Sequence, residues 1–461
     1  MKELLAGAAR VSIDPTPEMY PMPTGFGIVD AKYDSCFCRA IALKSGDAQA
    51  LLITFELSDM PTVERLVEQI AEKTGVPQDS ILITWTHNHT SPRDFQTTNY
   101  GRKPDAPEVA AKRQQYKAIE LNAALEAAGQ AVRSLRPAKV GFGTIDSYVN
   151  VNRDYKTLFG YWVEAPNYAG YSDKTLSVLK IVDAADDSLI AVLMNHGTHS
   201  TCAMEQQDTD GKTKSSGNFS GIACKFVEQR YGGSTVAMWT AGAAGNQDPI
   251  LSHGLQYEYP DGFTSTLDYP PGTGYMQMEF LGRRHGADAV KCIEQIDTYQ
   301  RELSISHAKT SLMLPAQKRR KTPDGKWINP RMGSRGPRDE EQNPYGQPPA
   351  IPDMDAICEP DPEHPVEMKV HLVRVGNIAL LYTNGELYAE LGSALKALSP
   401  FDRTVVVTYS VAPSTSYIVD RSSVHHRVFQ AFGAVAPGQS DEIILQGAKK
   451  LFEQAEKEAK Q

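Results

Sequence analysis

Several things are scarce in this chain of 461 residues, and each scarcity excludes a class of protein. No run reaches the roughly 18 apolar residues that a membrane-spanning helix needs, so no membrane span is expected. The opening Met1-Lys2-Glu3-Leu4-Leu5-Ala6-Gly7 passes into polar sequence at Arg10 and Ser12 and leaves no room for a secretory apolar segment, so a cytoplasmic location is expected. Only six cysteines occur, at 36, 38, 202, 224, 292 and 358, too sparse for a disulfide framework and with no Cys-x-x-Cys pair. Cys36 and Cys38 alternate along a strand-like segment and read as small packing residues. Positive charge is also short: 47 Lys and Arg against 56 Asp and Glu leave a net charge of −9, which argues against nucleic acid or an anionic membrane as partner. The local exception is Lys318-Arg319-Arg320-Lys321, in a Pro/Gly-rich stretch over 315–365 that also holds Arg331, Arg335, Arg338 and Asp339-Glu340-Glu341. It reads as a long solvated loop with self-compensating charge, contact with an anionic substrate being the sharper alternative.

What is present is an alternation of short β-branched apolar runs with helix-period segments. Residues 48–56, 80–86, 189–195, 367–375, 378–383 and 403–411 read as covered strands. Residues 61–74, 107–135, 219–230, 279–296, 387–398 and 441–460 read as helices, the first opened by Pro61 and stopped by Gly75. The expected class is α/β, with mixed β-sheets flanked by helices. Two irregular segments are rich in aromatics: 155–171, with Phe159, Tyr161, Trp162, Tyr168 and Tyr171, and 253–275, with Tyr257, Tyr259, Phe263, Tyr269 and Tyr275. Flat apolar faces with polar tips suit the walls of a pocket for a polar or sugar-like ligand, and equally suit packing of a loop on the body.

The chemistry gathers at strand ends, where α/β sheets place their ligand sites. The run Ile81 to Thr86 enters His87-Asn88-His89-Thr90-Ser91-Pro92. If strand geometry persists, alternation puts both imidazoles on one side, ready to bind a divalent metal or to share metal and acid–base duty. Leu189 to Asn195 enters His196-Gly197-Thr198-His199-Ser200-Thr201, so four of the 11 histidines sit in two such turns. Gly197 would let backbone approach a metal or substrate closely. Ile378 to Thr383 ends in Asn384-Gly385-Glu386, which puts a carboxylate at a strand-to-helix turn. Val405 to Ser410 is followed by Pro413-Ser414-Thr415-Ser416-Tyr417.

Taken together with Ala6–Pro15, Asn150-Val151-Asn152-Arg153, Ser216-Gly217-Asn218 and Ala244-Gly245-Asn246-Gln247-Asp248-Pro249, these segments occur in the order seen in neutral ceramidases, and the resemblance runs from residue 6 to about 440. It implies one large metal-dependent catalytic domain over 1–440, with 441–461 a C-terminal helix packed on it or extending from it. It implies zinc held by His87, His196, Glu386 and Tyr417, with His89 and Arg153 as catalytic residues. His199, Asn246, Asp248 and Trp162 are candidate substrate-binding residues, His199 having as its alternative support of a metal ligand or packing in the core, and surface placement is expected for His425 and His426. Such a mixed nitrogen and oxygen donor set suits zinc and leaves a position for water.

The departures narrow the reading. Asp248 stands where the family has a serine, so a serine mechanism is unavailable there. A pocket tyrosine of the family falls at Phe429, and the family's C-terminal immunoglobulin-like domain is expected to be missing, only a short helix being read after residue 440. The expectation is a zinc-dependent hydrolase of a small polar amide- or sugar-containing substrate, working through a metal-activated water. In it His89 moves a proton and Arg153 stabilises negative charge. A metal-dependent lyase, isomerase or glycoside-cleaving enzyme on sugar-derived substrates is the alternative, and a non-catalytic ligand-binding homologue the third. A homo-oligomer is compatible with all three.

Overall fold

Alternation of side chains along the strands decides the layering. In Ala48–Phe55, Leu51, Ile53 and Phe55 point to one apolar core while Ala50 and Leu52 point to another, so this strand is covered on both faces. The computed structural model describes residues 2–460 except 26, 61, 96–104, 158–159, 161, 252–254, 259–263, 268–269 and 326–353. The larger sheet runs, in spatial order, Val236–Ala241, Leu189–His196, Thr175–Asp183, Arg136–Asp146, Lys2–Ser12, Phe37–Ser45, Ala48–Phe55 and Ile81–Trp85. Its two outer pairs are parallel and the inner pairs antiparallel. A second sheet orders Ile305–Leu314, Val366–Val375, Ile378–Thr383 and Arg403–Val407, the last pair parallel.

Leu43, Leu52, Leu82 and Leu193 of the first sheet pack on Val373, Leu380, Val405 and Val407 of the second. The outer face of the first is covered by helices Val63–Thr74, Pro107–Arg133, Asn218–Tyr231 and Thr273–Gln295, and that of the second by Ala389–Leu398 and Asp441–Lys460. The architecture is therefore α/β with helices outside two stacked mixed sheets, and the last helix packs on the second sheet through Ile444, Leu451 and Phe452. Cys36 and Cys38 are buried in the core. The described part of the basic stretch is a short antiparallel pair, Gln317–Arg319 with Cys358–Pro360, in which Lys318 faces Glu359 and Asp361, and Arg320 faces Glu359. Arg331, Arg335, Arg338 and Asp339-Glu340-Glu341 lie outside the described residues, as do Phe159, Tyr161, Tyr259, Phe263 and Tyr269.

The two sheets meet at an edge. Beyond Val407 the chain crosses to the first sheet: Trp85 N–H donates to Tyr409 O at 3.1 Å and Val411 N–H to Ile83 O at 2.9 Å. Thr408 N–H reaches Ala241 O at 2.9 Å. This seam joins the carboxyl ends of strands from both sheets.

Under it lies a buried charge cluster. Arg39, fully buried, donates through Nε to Glu56 at 3.1 Å and through Nη1 to Glu228, and Glu56 O accepts from the Asn88 carboxamide at 3.4 Å. Removing the guanidinium leaves Glu56 with the Phe37 N–H and Glu228 with Arg10 and the Ala237 N–H, so Glu56 loses its buried cation and Arg39→Leu is expected to cost about 3 kcal/mol. Urea unfolding measures it, and a loss below about 1 kcal/mol would show that the carboxylates do not need their partner.

Candidate metal centre at the seam of the two sheets

The structure brings together His87, His199 and Glu386, whose donor atoms all lie within 4.8 Å of one another. The strand before His87 ends at Trp85 and His87 itself takes a left-handed backbone, φ 54°, so strand alternation is not what pairs the two histidines of this turn. The turn does it: His89 N–H is pinned to Ser200 O at 3.1 Å, and the Nε2 atoms of His87 and His89 stand 3.0 Å apart.

Which ring nitrogen is free follows from the carbonyls around it. His87 Nδ1 faces Ser58 O at 2.8 Å and His199 Nδ1 faces Gln247 O at 3.0 Å. A carbonyl only accepts, so each Nδ1 carries the hydrogen and each Nε2 presents a lone pair. Those lone pairs lie 3.9 and 3.6 Å from Glu386 Oε2, close to the roughly 3.4 Å between donors around a tetrahedral zinc. The Tyr409 hydroxyl stands 3.1 Å from His199 Nε2 and 3.2 Å from Glu386 Oε2, and its one proton cannot serve both acceptors. Three acceptors with too few hydrogens between them fit a divalent cation.

His196, expected as a ligand, is placed elsewhere. Its Nδ1 is 2.6 Å from Thr198 Oγ1 and its Nε2 3.1 Å from Ser147 O, so Nε2 carries the hydrogen and has no lone pair to offer. It packs edge-on against His285, which Trp239 and Ser147 hold in the core. The His-Gly-Thr-His turn thus delivers its second histidine to the cluster. Gly197 is required by a close approach to Ala243 O, where a Cβ would sit 2.8 Å away, rather than by an approach to a ligand.

Electrostatics agree with the tautomers. Burial pushes His87 down to about 4 and holds His89 well below the ordinary histidine range, so both are neutral near pH 7. Burial acts to raise the Glu386 carboxyl, but His87, His199 and Arg153 outweigh it and hold it at about 2.

Tyr417 pairs with Glu386 through a short parallel bridge, and its hydroxyl accepts from Arg153 Nη2 at 3.1 Å. Tyr409, which sequence reasoning missed, is the tyrosine whose hydroxyl enters the cluster. It stacks on His87 with ring centroids 4.2 Å apart and shares its left-handed backbone, φ 49°. The signal available was its place two residues past a strand, like His87. Phe429 lies edge-on to Tyr417 at 5.4 Å, beside Arg153.

The remaining candidates divide. Asp248 is buried against Arg153 at 3.3 Å. Asn246 is fully buried and engaged with protein: it accepts from Ala389 N–H at 2.9 Å and donates to Glu390 at 2.8 Å, fixing a helix start rather than facing a pocket. Trp162 stacks on His426 at 3.6 Å, and His426 binds Asp154 at 2.8 Å, so of the two histidines expected at the surface only His425 is exposed.

Fold and site together define an α/β protein with a His/His/Glu candidate metal centre at strand carboxyl ends. No protein-family model and no curated protein matches the sequence. Among solved structures the chain is similar to neutral ceramidase from Pseudomonas aeruginosa, at a TM-score of 0.67 and 15% identity over 98% of this chain and 74% of that one. It is also similar to a ceramidase complexed with C2, at a TM-score of 0.68 and 15% identity over 99% and 76%. The fold is neutral ceramidase-like.

The core imidazoles make stability depend on pH. Burial pushes His196 down to about 4 and His285 well below the ordinary range, whereas an unfolded chain protonates histidine near 6.5. The unfolded state takes up protons first, so stability is full above about pH 7 and falls as pH drops toward 4. His196 alone accounts for up to about 3 kcal/mol at the acid limit. Melting temperatures at pH 7, 5.5 and 4.5, taken on metal-free protein, should fall in that order; constancy across the range would mean that these rings protonate in place.

Proposed function

We propose that the protein is a metal-dependent hydrolase acting on a small polar substrate with an amide or sugar-derived bond. The convergence of two Nε2 lone pairs and a buried carboxylate in a neutral ceramidase-like fold supports this reading. The donor set, two imidazoles and a carboxylate, is that of a catalytic zinc site with open positions. When bound, such an ion polarises the group under attack and lowers the pKa of water toward neutrality.

The chain's own residues supply the rest. His89 Nε2, 3.0 Å from the His87 lone pair, carries the hydrogen of that contact; with the lone pair committed to a metal, the neutral His89 ring would be the group to exchange a proton with water and the leaving group. The Tyr409 hydroxyl is placed to hydrogen-bond an oxygen held at the same point. Arg153 orients Tyr417, whose ring lies 6.2 Å from that of His199. Trp162, on the hairpin that carries Arg153, is engaged by His426, so a substrate contact would fall to its remaining face.

Metal analysis of purified protein tests the site. His87→Ala, His199→Ala and Glu386→Ala should each lower metal affinity at least about 100-fold, whereas His196→Ala should keep its metal and lose stability instead. Retention by the first three would sink the reading. Incubation with an N-acyl and glycoside panel tests the reaction. Release of amine or sugar by the metal-loaded protein, lost on chelation, is expected. Turnover of keto-sugars without hydrolysis would favour a lyase or isomerase, and inertness toward every member would leave a binding protein.

A further inference from the structure

We infer that the groove between helix Val63–Thr74 and the inner face of the second sheet is a separate ligand site, one that takes a small organic molecule bearing protonated amines. It lies at the other end of the strand that feeds the metal centre. Ile81 lines the groove and Trp85 leads toward His87, about 13 Å further along an extended chain. The groove measures about 500 Å³, the size of a site for an organic molecule and far too large for a bare ion. Among the described residues no group of three metal-binding side chains converges there.

Cross-strand pairing builds one wall. Strands Ile305–Leu314 and Val366–Val375 set His307 opposite Val373, Lys309 opposite His371 and Ser311 opposite Lys369. Val373 belongs to the core between the sheets, so one sheet face runs from that core through the two histidines and out to the groove. The histidines fix each other's tautomers. His307 Nε2 stands 2.7 Å from Gln49 O, which only accepts, so Nε2 carries the hydrogen and Nδ1 keeps a lone pair. His371 Nε2, 3.3 Å from that lone pair, is then the donor, and its own lone pair is on Nδ1. This Nδ1 has no partner among the described residues and is not closed off by protein, although His371 is only 8% exposed. Burial pushes His371 down to about 4, so at neutral pH the ring is an uncharged acceptor held in one orientation beside the groove it lines.

Charge decides which kind of hydrogen donor suits it. Lys309 pairs with Asp79, and Lys369 with Glu64 at 3.2 Å, so both lysines of the groove and two of its three carboxylates answer one another. Glu68, one helical turn after Glu64, lines the groove with no ion pair among the described residues. One lone pair and one carboxylate are therefore left for a ligand, and both favour a cation over an anion. A protonated amine supplies hydrogens to the first and charge to the second.

Putrescine, titrated calorimetrically into the full chain at fixed ionic strength, is the probe, with succinate as its anionic counterpart. Putrescine should bind with a Kd of about 1 mM or tighter, and succinate should not bind. His371→Leu should weaken putrescine at least about tenfold, the worth of a hydrogen bond to a charged group. Glu68→Gln, on an exposed helix face, should weaken it about threefold and decides the matter if the leucine variant does not fold. Glu386→Ala, at the metal centre, should leave the affinity unchanged, which separates this site from the proposed reaction. Equal affinity in wild type and the groove variants, loss of binding in Glu386→Ala, succinate binding in place of putrescine, or no putrescine binding at about 10 mM overturns the inference.

Discussion

Two hydrogen bonds to backbone carbonyls, His87 Nδ1 to Ser58 O and His199 Nδ1 to Gln247 O, determine what the centre of this protein can bind. Each fixes a tautomer, and the tautomer decides whether Nε2 offers a lone pair or a proton. The same residue type three positions earlier, His196, shows the converse. With Ser147 O on its Nε2, it becomes a core donor. The carbonyls are themselves held by the folds of the loops: Gln247 O also accepts His199 N–H, and Ser58 directly follows Leu57, whose O accepts the Asn88 N–H. The rigidity of the cluster is therefore backbone rigidity, and it comes from two sheets that exchange hydrogen bonds at one seam.

The seam also explains where charge is tolerated. Arg39 with Glu56 and Glu228 lies next to the histidine turn, through the Asn88 bond to Glu56 O, and Arg153 with Asp248 and Glu164 reaches the cluster through Tyr417. Buried charges persist only where partners and hydrogen bonds compensate their desolvation. In the first cluster that compensation supports the turn. In the second it holds Arg153 against Asp248 and the Tyr417 hydroxyl, so one physical rule serves both places.

Elements with a strong local signal were legible in the sequence. The helix Val63–Thr74 has its apolar stripe at 63, 66, 67 and 70 and its Gly75 in the left-handed cap. The strand Lys2–Ser12 was not, because Ala6-Gly7-Ala8-Ala9 has little strand preference and is held extended by its pairing with Phe37–Ser45 and Arg136–Asp146. The site divides in the same way. His87, His89 and Glu386 stood out as polar residues just past apolar strands, whereas Tyr417 carried little signal of its own and came with the resemblance. The choice between His196 and His199, and the presence of Tyr409, depended on left-handed residues and crossing segments that leave no periodic mark.

The sequence by itself determined the α/β class, the scarcity of cysteine and basic charge, and the strand ends where donors would gather, because composition and hydrophobic period act locally. Only the tertiary structure decided which donors meet. Ligand geometry requires atoms from residues 87, 199 and 386 to converge within 4.8 Å, and that distance is set by the crossing of chain between two sheets and by carbonyls far away in sequence. The occupation of Arg153 by Asp248 was decided there too, since a carboxylate and a guanidinium 95 positions apart become partners only once the strands that carry them pair.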